Sequence, residues 1–380
     1  MSILPAESAV TDPSPSPASV VVLGGGYAGV TVAKALDDVA DVTLVDPTEA
    51  FVHTVAAWRA LLQPDWLDRI YLPYDRLLAR GRFVRDRAVA VDGRRVTLAS
   101  GDQLEPDYLI LATGSSYPFP AKSDDPDLAS ARARVRAAHE ALMASRRAVI
   151  VGAGPAGLEL AGEIRAFAPA THVTIVDMAD DVLAGPYDPA LRDELRRQLD
   201  ALGVELRLGV ALRELPSAPP ATRAPIRIAT EAGEVIEADI WFRAFGVRPQ
   251  AGYLDGGSLA DRRDARGYVR VDRHLRVAGE ERVFAVGDIA DADRDMAGIA
   301  GVQARLVAGN VHALITGEGA LASYDPFPPL IAVPLGPEGG AGLLGDGVAG
   351  PAAIAEIKGR DMLVDAYAAM FDAGRALSSR

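Results

Sequence analysis

Two near-copies of one glycine-rich stretch constrain this chain more than any other feature. Residues 21–30 read VVLGGGYAGV, and residues 149–158 read VIVGAGPAGL. Each copy has the spacing G-x-G-x-x-G, which is typical of a strand that turns tightly into a helix at a dinucleotide site. The chain is therefore expected to build the same strand–turn–helix unit twice, within an α/β fold.

The first copy has the full anatomy of a dinucleotide-binding unit. Gly24 permits the tight turn, Gly26 lets the backbone approach a pyrophosphate, and Gly29 lets the helix pack closely on the strand. Asp46, at the end of the next strand, is placed to accept hydrogen bonds from a ribose diol. The predicted elements are a strand over 19–24, a helix over 27–38 and a strand over 41–46.

The second copy repeats this anatomy with Gly152, Gly154 and Gly157 in the turn and Pro155 at the start of the helix. Asp177 ends its second strand. An acid there accepts the 2′-hydroxyl of NAD and repels the 2′-phosphate of NADP, so NADH is favoured over NADPH. The predicted elements are a strand over 146–152, a helix over 155–168 and a strand over 172–177.

Two nucleotide sites in one chain indicate two nucleotides that react with each other, and FAD with NADH is the economical pair. The chain contains no cysteine. Electrons therefore cannot leave a flavin through a redox disulfide, and thiolate metal sites are excluded as well. We expect reduced flavin to pass its electrons directly to a small-molecule acceptor bound against the ring.

The charge balance and the chain termini bound the remaining possibilities. Lys plus Arg is 39 and Asp plus Glu is 52, a net charge of −13, which argues against nucleic acid or an anionic membrane as partner. The Pro- and Ser-rich stretch 1–18 is expected to be a disordered tail, not a secretory signal. No window is apolar enough for a transmembrane segment, so the expected location is cytoplasmic. The histidines show no metal-ligand grouping.

Two further strands end in residues suited to a flavin. A strand over 108–112 runs into Thr113 and Gly114, and a strand within 281–291 ends in Gly287 and Asp288. An acid beside a glycine at a strand end can bind the ribityl hydroxyls of a flavin. The alternative is that Asp288 is a helix N-cap or an ordinary turn residue.

Taken in order, GGGYAG, ATG, GAGPAG and VFAVGD resemble the two-dinucleotide-domain flavoproteins of the pyridine nucleotide–disulfide reductase superfamily. Three more stretches resemble the apoptosis-inducing-factor-2 group, the ferroptosis suppressor proteins, which are FAD-containing NAD(P)H:quinone oxidoreductases related to type II NADH dehydrogenases. The resemblance runs from Ser19 to the C-terminus. Its narrower part is AFVHTVAAWRA (50–60), LATGSSYPFPAK (111–122) and EIKGRD (356–361).

The resemblance implies two Rossmann-like dinucleotide-binding domains, for FAD and NADH, and a C-terminal α+β cap. The implied FAD domain is discontinuous, because the NADH domain is inserted into it. The acceptor pocket would lie between cap and flavin, with the glycine-rich stretch 334–347 either as one wall or as a plain β-hairpin. The implied bounds are 19–140 with 264–325 for FAD, 145–263 for NADH and 326–380 for the cap.

The resemblance also suggests site residues, each with an ordinary alternative. Glu159 would lie near nicotinamide and flavin, or be only a first-turn acid that suits the helix dipole. Lys358 would stabilise anionic reduced flavin or quinone, or be a solvated surface lysine. His53 would relay protons near the flavin or cap a helix, and Arg59 in the same stretch would bind the cofactor. Gln303 lies near the start of a helix expected to aim its N-terminus at the flavin.

One stretch departs from the superfamily pattern. A second A/C-T-G turn is usual in the NAD domain, and here Ala244-Phe245-Gly246 stands in its place. Gly246 is expected to keep the turn, with a different surface over the nicotinamide. Trp58 is expected to pack in the core or cap rather than touch the acceptor. An amphipathic helix near 362–371 is expected to dock onto the protein.

Four functions remain open at this point. The leading one is an NADH:acceptor oxidoreductase with quinone as acceptor. The others are an FAD enzyme acting on one small metabolite, a reductase for a partner electron-transfer protein, and a non-catalytic NADH sensor that signals by dimerisation. Docking of a partner protein would require a basic rim around the site, and the acidic composition of this chain disfavours such a rim. A homodimer is possible under any of them.

Overall fold

Two parallel sheets form the framework of this computed structural model, which describes residues 17–372. Most of the predicted N-terminal tail therefore lies outside the described residues. The first sheet has five strands, and its central strand is buried on both faces, as a parallel arrangement requires. In spatial order the strands are Val283–Ala285, Tyr108–Leu111, Ser19–Leu23, Asp41–Asp46 and Arg82–Arg85.

Two helices cover one face of the first sheet and pack against each other. Tyr27–Leu36 follows the first glycine turn, and Ala297–Thr316 follows the last strand of the sheet. Val30 of the former and Val307 of the latter are fully buried in one apolar cluster. This packing fixes the N-terminus of the long helix beside the first glycine turn, and Gly317 ends that helix with φ of 71°.

The second sheet repeats the arrangement with four parallel strands. Their spatial order is Glu205–Arg207, His172–Val176, Arg147–Val151 and Ile240–Arg243. The helix Pro155–Phe167 follows the second glycine turn and starts with proline, as the sequence predicts. A further helix, Pro189–Ala201, precedes the edge strand. The α/β fold with two Rossmann-like sheets is thus confirmed.

Short elements join the two sheets. Ser115–Ser116 pairs in antiparallel fashion with Arg248–Pro249, so the end of the first sheet's strand at 108–111 meets the loop after the second sheet's last strand. The helix Leu128–Met143 leads from the first sheet to the second, and the Asp127 side chain caps it by accepting from the Ser130 amide at 2.7 Å.

The C-terminal part is a three-stranded antiparallel sheet followed by helices. Its strands are Ile331–Pro334, Gly340–Leu344 and Gly347–Ala349. The stretch 334–347 is therefore a β-hairpin, and it packs on Pro155–Phe167 so closely that a Cβ at Gly162 would lie 2.4 Å from the Leu335 Cα. The helices that follow are Pro351–Ile354, a π-helix Ala355–Gly359, and Val364–Asp372.

The last helix docks onto the first domain, as predicted. The rings of Tyr367 and Phe371 stack on Phe51, with centroid distances of 5.7 and 5.5 Å. Phe371 is 2% exposed. No helix within residues 17–372 has both the length and the apolar character needed to cross a membrane.

The remaining elements are short and lie in the stretches of chain between the strands of the main sheets. Strands Ala50–Val52 and Tyr71–Pro73 pair with each other, as do Ile226–Ala229 and Val235–Ala238. A three-stranded sheet lies beside the first domain. Its strands are Ala88–Asp92, Arg95–Leu98 and Gln103–Leu104, and the short helices are Ala57–Leu62, Leu67–Ile70, Thr54–Ala56, Pro64–Trp66, Tyr74–Arg76, Gly252–Leu254 and Ala260–Arg262.

Candidate functional site

A Cβ would meet different surroundings at each of the three glycines of the first turn. Gly24 has φ of +96°, and a Cβ there would lie 2.5 Å from the Ala112 carbonyl oxygen. A Cβ at Gly29 would lie 1.8 Å from the Gly24 oxygen, so the helix can approach the strand only without one. A Cβ at Gly26 would meet nothing within 4 Å. The backbone at Gly26 is therefore open to a ligand.

The second turn has the same geometry. Gly152 has φ of +117°, and a Cβ there would lie 2.7 Å from the Ala244 oxygen. A Cβ at Gly157 would lie 2.0 Å from the Gly152 oxygen, whereas one at Gly154 would meet nothing within 4 Å. Both turns therefore leave space for a ligand at the middle glycine, beside the N-terminus of a helix.

Each acid at the end of the second strand braces its own glycine turn. Asp46 Oδ2 accepts from the Gly25 amide at 2.7 Å, and Asp177 Oδ2 accepts from the Ala153 amide at 2.6 Å. Burial raises the pKa of Asp46, while hydrogen bonds from Thr48 and Gly25 lower it. Both carboxylates thus sit at the mouth of their turn. Their expected contacts with ribose hydroxyls stay predictions.

Both turns open onto connected cavities between the two sheets. A cavity of about 340 Å³, which we name the central cavity, is lined by Tyr27 beyond the first turn and by Gly154 of the second. A cavity of about 250 Å³ runs along the first turn past Gly26 and Asp46. Both are lined by Tyr27, Thr54, Ser115, Lys122 and Asp288. The two glycine turns therefore face one continuous cleft.

The cleft continues beyond the first turn. A third cavity, of about 380 Å³, lies on the other side of Asp46 and is lined by Gly24, Arg87, Thr113 and Tyr253. Of these residues, Thr113 stands just before Gly114 in the turn that follows strand 108–111. The three cavities together form an elongated space, which suits a dinucleotide better than a compact metabolite.

Asp288 is part of a small polar network at the junction of the cavities. The Ser115 hydroxyl donates to Asp288 Oδ2 at 2.6 Å, and Lys122 Nζ lies 3.5 Å from the same oxygen. Lys122 also donates to the Ser115 hydroxyl and carbonyl oxygens. Asp288 stands in a turn and not at a helix N-cap, because the following helix is preceded by Met296.

Gln303 supports this network through the turn that carries Asp288. Its side chain is 2% exposed, and its Oε1 accepts from the Gly287 amide at 2.8 Å. Gln303 therefore fixes the turn that carries Asp288, and its part in cofactor binding, which the resemblance implies, stays a prediction. The sequence placed Gln303 correctly near the start of the helix, but not the direction in which it points.

Glu159 and Lys358, expected separately at the cofactors, form an ion pair in the central cavity. Lys358 Nζ lies 2.8 Å from Glu159 Oε1, with side-chain exposures of 16% and 11%. Lys358 also lies 3.4 Å from the Ala332 carbonyl oxygen. Lys358 is therefore not a solvated surface lysine, and Glu159 has an ion-pair partner besides the dipole of its own helix.

Arg59 lies away from the cleft, contrary to the expected cofactor contact. Its guanidinium is 2% exposed and binds Glu163 twice, at 2.5 and 2.8 Å. Its other bonds go to the carbonyl oxygens of Gly359, at 2.8 Å, and Arg360, at 3.3 Å. Since these donors are used, Arg59 joins the helix after the second turn to the segment that carries Lys358.

His53 is fully buried and reaches the central cavity only through Tyr27, which lines it. Its Nε2 donates to the Met362 carbonyl oxygen at 2.7 Å, and Nδ1 lies 3.3 Å from the Tyr27 hydroxyl. Burial lowers the pKa of His53. Its side chain makes no capping bond to the turn Thr54–Ala56, so that alternative is wrong.

The chain's few lysines include a cavity residue, Lys122, that the motifs did not predict. The chain has three lysines, Lys34, Lys122 and Lys358, among 39 cationic residues. Lys122 and Lys358 both line the central cavity. Each ammonium group is a compact point charge, unlike the planar guanidinium groups of the arginines.

The departure at 244–246 leaves the turn intact. Gly246 has φ of +93°, and a Cβ there would lie 2.7 Å from Arg243 Nη2. Phe245 is 38% exposed, with the Arg243 guanidinium 4.6 Å from its ring centre. Trp58, expected only to pack, is buried and also borders the central cavity.

Comparison with known proteins agrees with this arrangement. Residues 18–309 match the family model described as pyridine nucleotide-disulphide oxidoreductase. Ferroptosis suppressor protein 1 of Taeniopygia guttata is 29% identical over 351 residues, covering 91% of this chain and 93% of the relative. Apoptosis-inducing factor homolog B of Dictyostelium discoideum is 27% identical, covering 92% and 95%.

Solved structures show the same fold. The sulfide:quinone oxidoreductase of Aquifex aeolicus superposes with a TM-score of 0.75 at 17% identity, covering 94% of this chain and 92% of its own. The reduced Bacillus anthracis CoADR-RHD gives 0.69 at 18%, covering 86% and 61%. The chain therefore belongs to the pyridine nucleotide-disulphide oxidoreductases, a family of FAD- and pyridine-nucleotide-dependent oxidoreductases.

Proposed function

We propose that this protein takes hydride from NADH onto FAD and passes the electrons directly to a quinone-class acceptor. The observation that carries the proposal is the continuous cleft onto which both glycine turns open, with the Glu159–Lys358 ion pair between them. The absence of cysteine requires transfer without a redox disulfide. The motif resemblance to quinone-reducing flavoproteins supports the acceptor class.

The residues fit both nucleotides. The space at Gly26 and Gly154, which a side chain would fill, accommodates a pyrophosphate against the amides at a helix N-terminus. We assign FAD to the first turn, because two cavities, of about 250 and 380 Å³, border it and give it the longer space. The first domain would then comprise 19–140 with 264–325, the NADH domain 145–263 and the cap 326–380.

NADH is the preferred donor in this proposal because Asp177 follows the strand His172–Val176, where its carboxylate repels a 2′-phosphate. Arg165, the arginine before Asp177 in the sequence, donates to the carbonyl oxygens of Leu202 and Thr171. Arg207, whose carbonyl oxygen accepts from the Asp177 amide, pairs with Glu205 at 2.6 Å. A phosphate at this position would therefore meet a carboxylate, and the two guanidinium groups named here already have partners.

When bound, the flavin accepts a hydride and releases two electrons to an acceptor. The chain's own residues orient the reacting groups and stabilise the charge that develops on them. Lys358 places a cation in the central cavity, where it favours negative charge on a reduced ring or a quinone oxygen. Glu159 holds that ammonium in place. Lys122 supplies a second cation on the Asp288 side.

Anaerobic stopped-flow measurements test the proposal. The purified protein should carry FAD, bleach rapidly with NADH and slowly with NADPH, and be re-oxidised faster by menadione than by oxygen. A colourless folded protein that takes up no FAD would disprove the assignment of the first turn. Flavin that NADH reduces but that no quinone re-oxidises faster than oxygen would point to the metabolite or partner-protein alternatives.

A further inference from the structure

Asp295 is a third carboxyl group on the central cavity, and none of the roles above uses it. It lies in the loop before the helix Ala297–Thr316 and lines the cavity together with Asp288, Lys122 and Lys358. Asp295 therefore lies in the same cavity as Lys358, the cation that the proposed function directs at the acceptor.

The hydrogen bonding of Asp295 suits a protonated carboxyl group. The Tyr268 hydroxyl donates to Oδ2 at 2.7 Å. Oδ1 is shielded from solvent and has no hydrogen-bond partner among residues 17–372. An ionised carboxylate with one oxygen buried and unpaired is costly, and protonation of the carboxyl group lowers that cost because it removes the charge.

The surroundings act in the same direction. Burial raises the pKa of Asp295 to about 6, and the charge of Asp288 adds to the increase. The Tyr268 hydrogen bond and the cations Lys122 and Arg266 oppose it. On its own loop, Asp293 and Arg294 pair with each other at 3.4 Å.

The other two carboxyl groups on the cavity already have strong partners. Glu159 is paired with Lys358 at 2.8 Å. Asp288 accepts from Ser115 and lies 3.5 Å from Lys122. Among these three carboxyls, Asp295 is the one that has a buried oxygen with no hydrogen-bond partner among residues 17–372.

We propose that Asp295 is the acid that gives the acceptor its second proton; this inference rests on the proposed function. A quinone gains two electrons and two protons in becoming a hydroquinone. A hydride brings both electrons and one proton. The Asp295 O–H bond breaks as a new O–H bond forms on the quinone oxygen, and the carboxylate then regains a proton from water.

The test compares wild type with Asp295→Asn and with Asp325→Asn, which removes an exposed carboxylate near the cap. Menadione re-oxidation of the NADH-reduced protein should be about a hundredfold slower in Asp295→Asn at about pH 6, and the gap should narrow at higher pH as wild type loses its proton. Ferricyanide, which takes electrons without protons, should react equally with all three. Reduction by NADH should also be unchanged.

A second readout needs no turnover. Infrared spectra of the resting protein at about pH 5 should contain a protonated-carboxyl band that is lost as pH rises through about 6 and is missing in Asp295→Asn. An unchanged menadione profile or an unchanged band in Asp295→Asn overturns the inference alone. A wild type that bleaches with NADH but reacts with no quinone overturns the proposed acceptor and this inference together.

Discussion

Glu159 and Lys358, 199 residues apart, meet at 2.8 Å in the central cavity. Glu159 belongs to the helix after the second glycine turn, whereas Lys358 belongs to a π-helix in the C-terminal part. One turn further along the same helix, Glu163 binds Arg59. Arg59 in turn holds the backbone at Gly359 and Arg360. Two acids spaced one turn apart thus position the segment that carries the lysine.

Replacing Lys358 by Met should slow quinone re-oxidation by about tenfold to a hundredfold, because a charge aimed at a developing anion is lost. Stopped-flow rates with menadione measure this. Lys34→Met is the matched control, since Lys34 donates to the Leu77 carbonyl oxygen away from the cleft. Equal rates for the Lys358 variant and wild type would remove Lys358 from the reaction.

Replacing Arg59 by Met should destabilise the fold by about 3–5 kcal/mol, because Glu163 is left as a buried charge without a partner. Urea denaturation measures the loss. Arg69→Met breaks an exposed pair with Asp365, 42% and 80% exposed, and should cost at most about 1 kcal/mol. Similar losses for the two variants would contradict a structural role of Arg59.

The Arg59 variant should also depend on pH. Burial already raises the pKa of Glu163, and Arg59 opposes that increase. Without Arg59 the folded-state pKa rises further above the unfolded one, so ionisation costs stability as pH rises through that interval. Arg59→Met should therefore be closer to wild type at about pH 5 than at about pH 8. A loss independent of pH would argue against Glu163 as its cause.

Substitution of Gly26 and of Gly154 should each affect the binding of a different nucleotide. Gly26→Ala and Gly154→Ala introduce a Cβ into free space, at backbone φ of −75° in both cases, so folding should be little affected. Gly26→Ala should be purified with little FAD. Gly154→Ala should keep FAD but need at least about tenfold more NADH for half-maximal bleaching. FAD retained at wild-type level in Gly26→Ala would contradict the assignment.

Asp177 should set the preference for NADH. Asp177→Asn keeps an acceptor for the Ala153 amide but removes the charge that repels a 2′-phosphate. The ratio of bleaching rates with NADH and NADPH should fall by about tenfold, chiefly through faster reaction with NADPH. Circular dichroism checks that the fold is unchanged. A constant ratio would place the discrimination in other residues.

Several functional features were readable from the sequence because they are local. The glycines of each turn, the strand before it, the helix after it and the acid at the next strand's end are within about 30 residues of one another. Tight turns and close strand–helix packing restrict these positions to glycine, so the letters alone predict the geometry. The helix Tyr27–Leu36 is shorter than the predicted 27–38, as helix ends depend on local capping.

The roles of Arg59, His53, Gln303 and Lys358 were decided only by the tertiary structure. Their partners are Glu163, Met362, Gly287 and Glu159, which lie between 16 and 309 residues away in the chain. No local spacing encodes the direction in which such a side chain points. The sequence by itself determined two glycine turns and the lack of cysteine. Packing of three distant segments around one cleft decided which side chains face it and which hold them there.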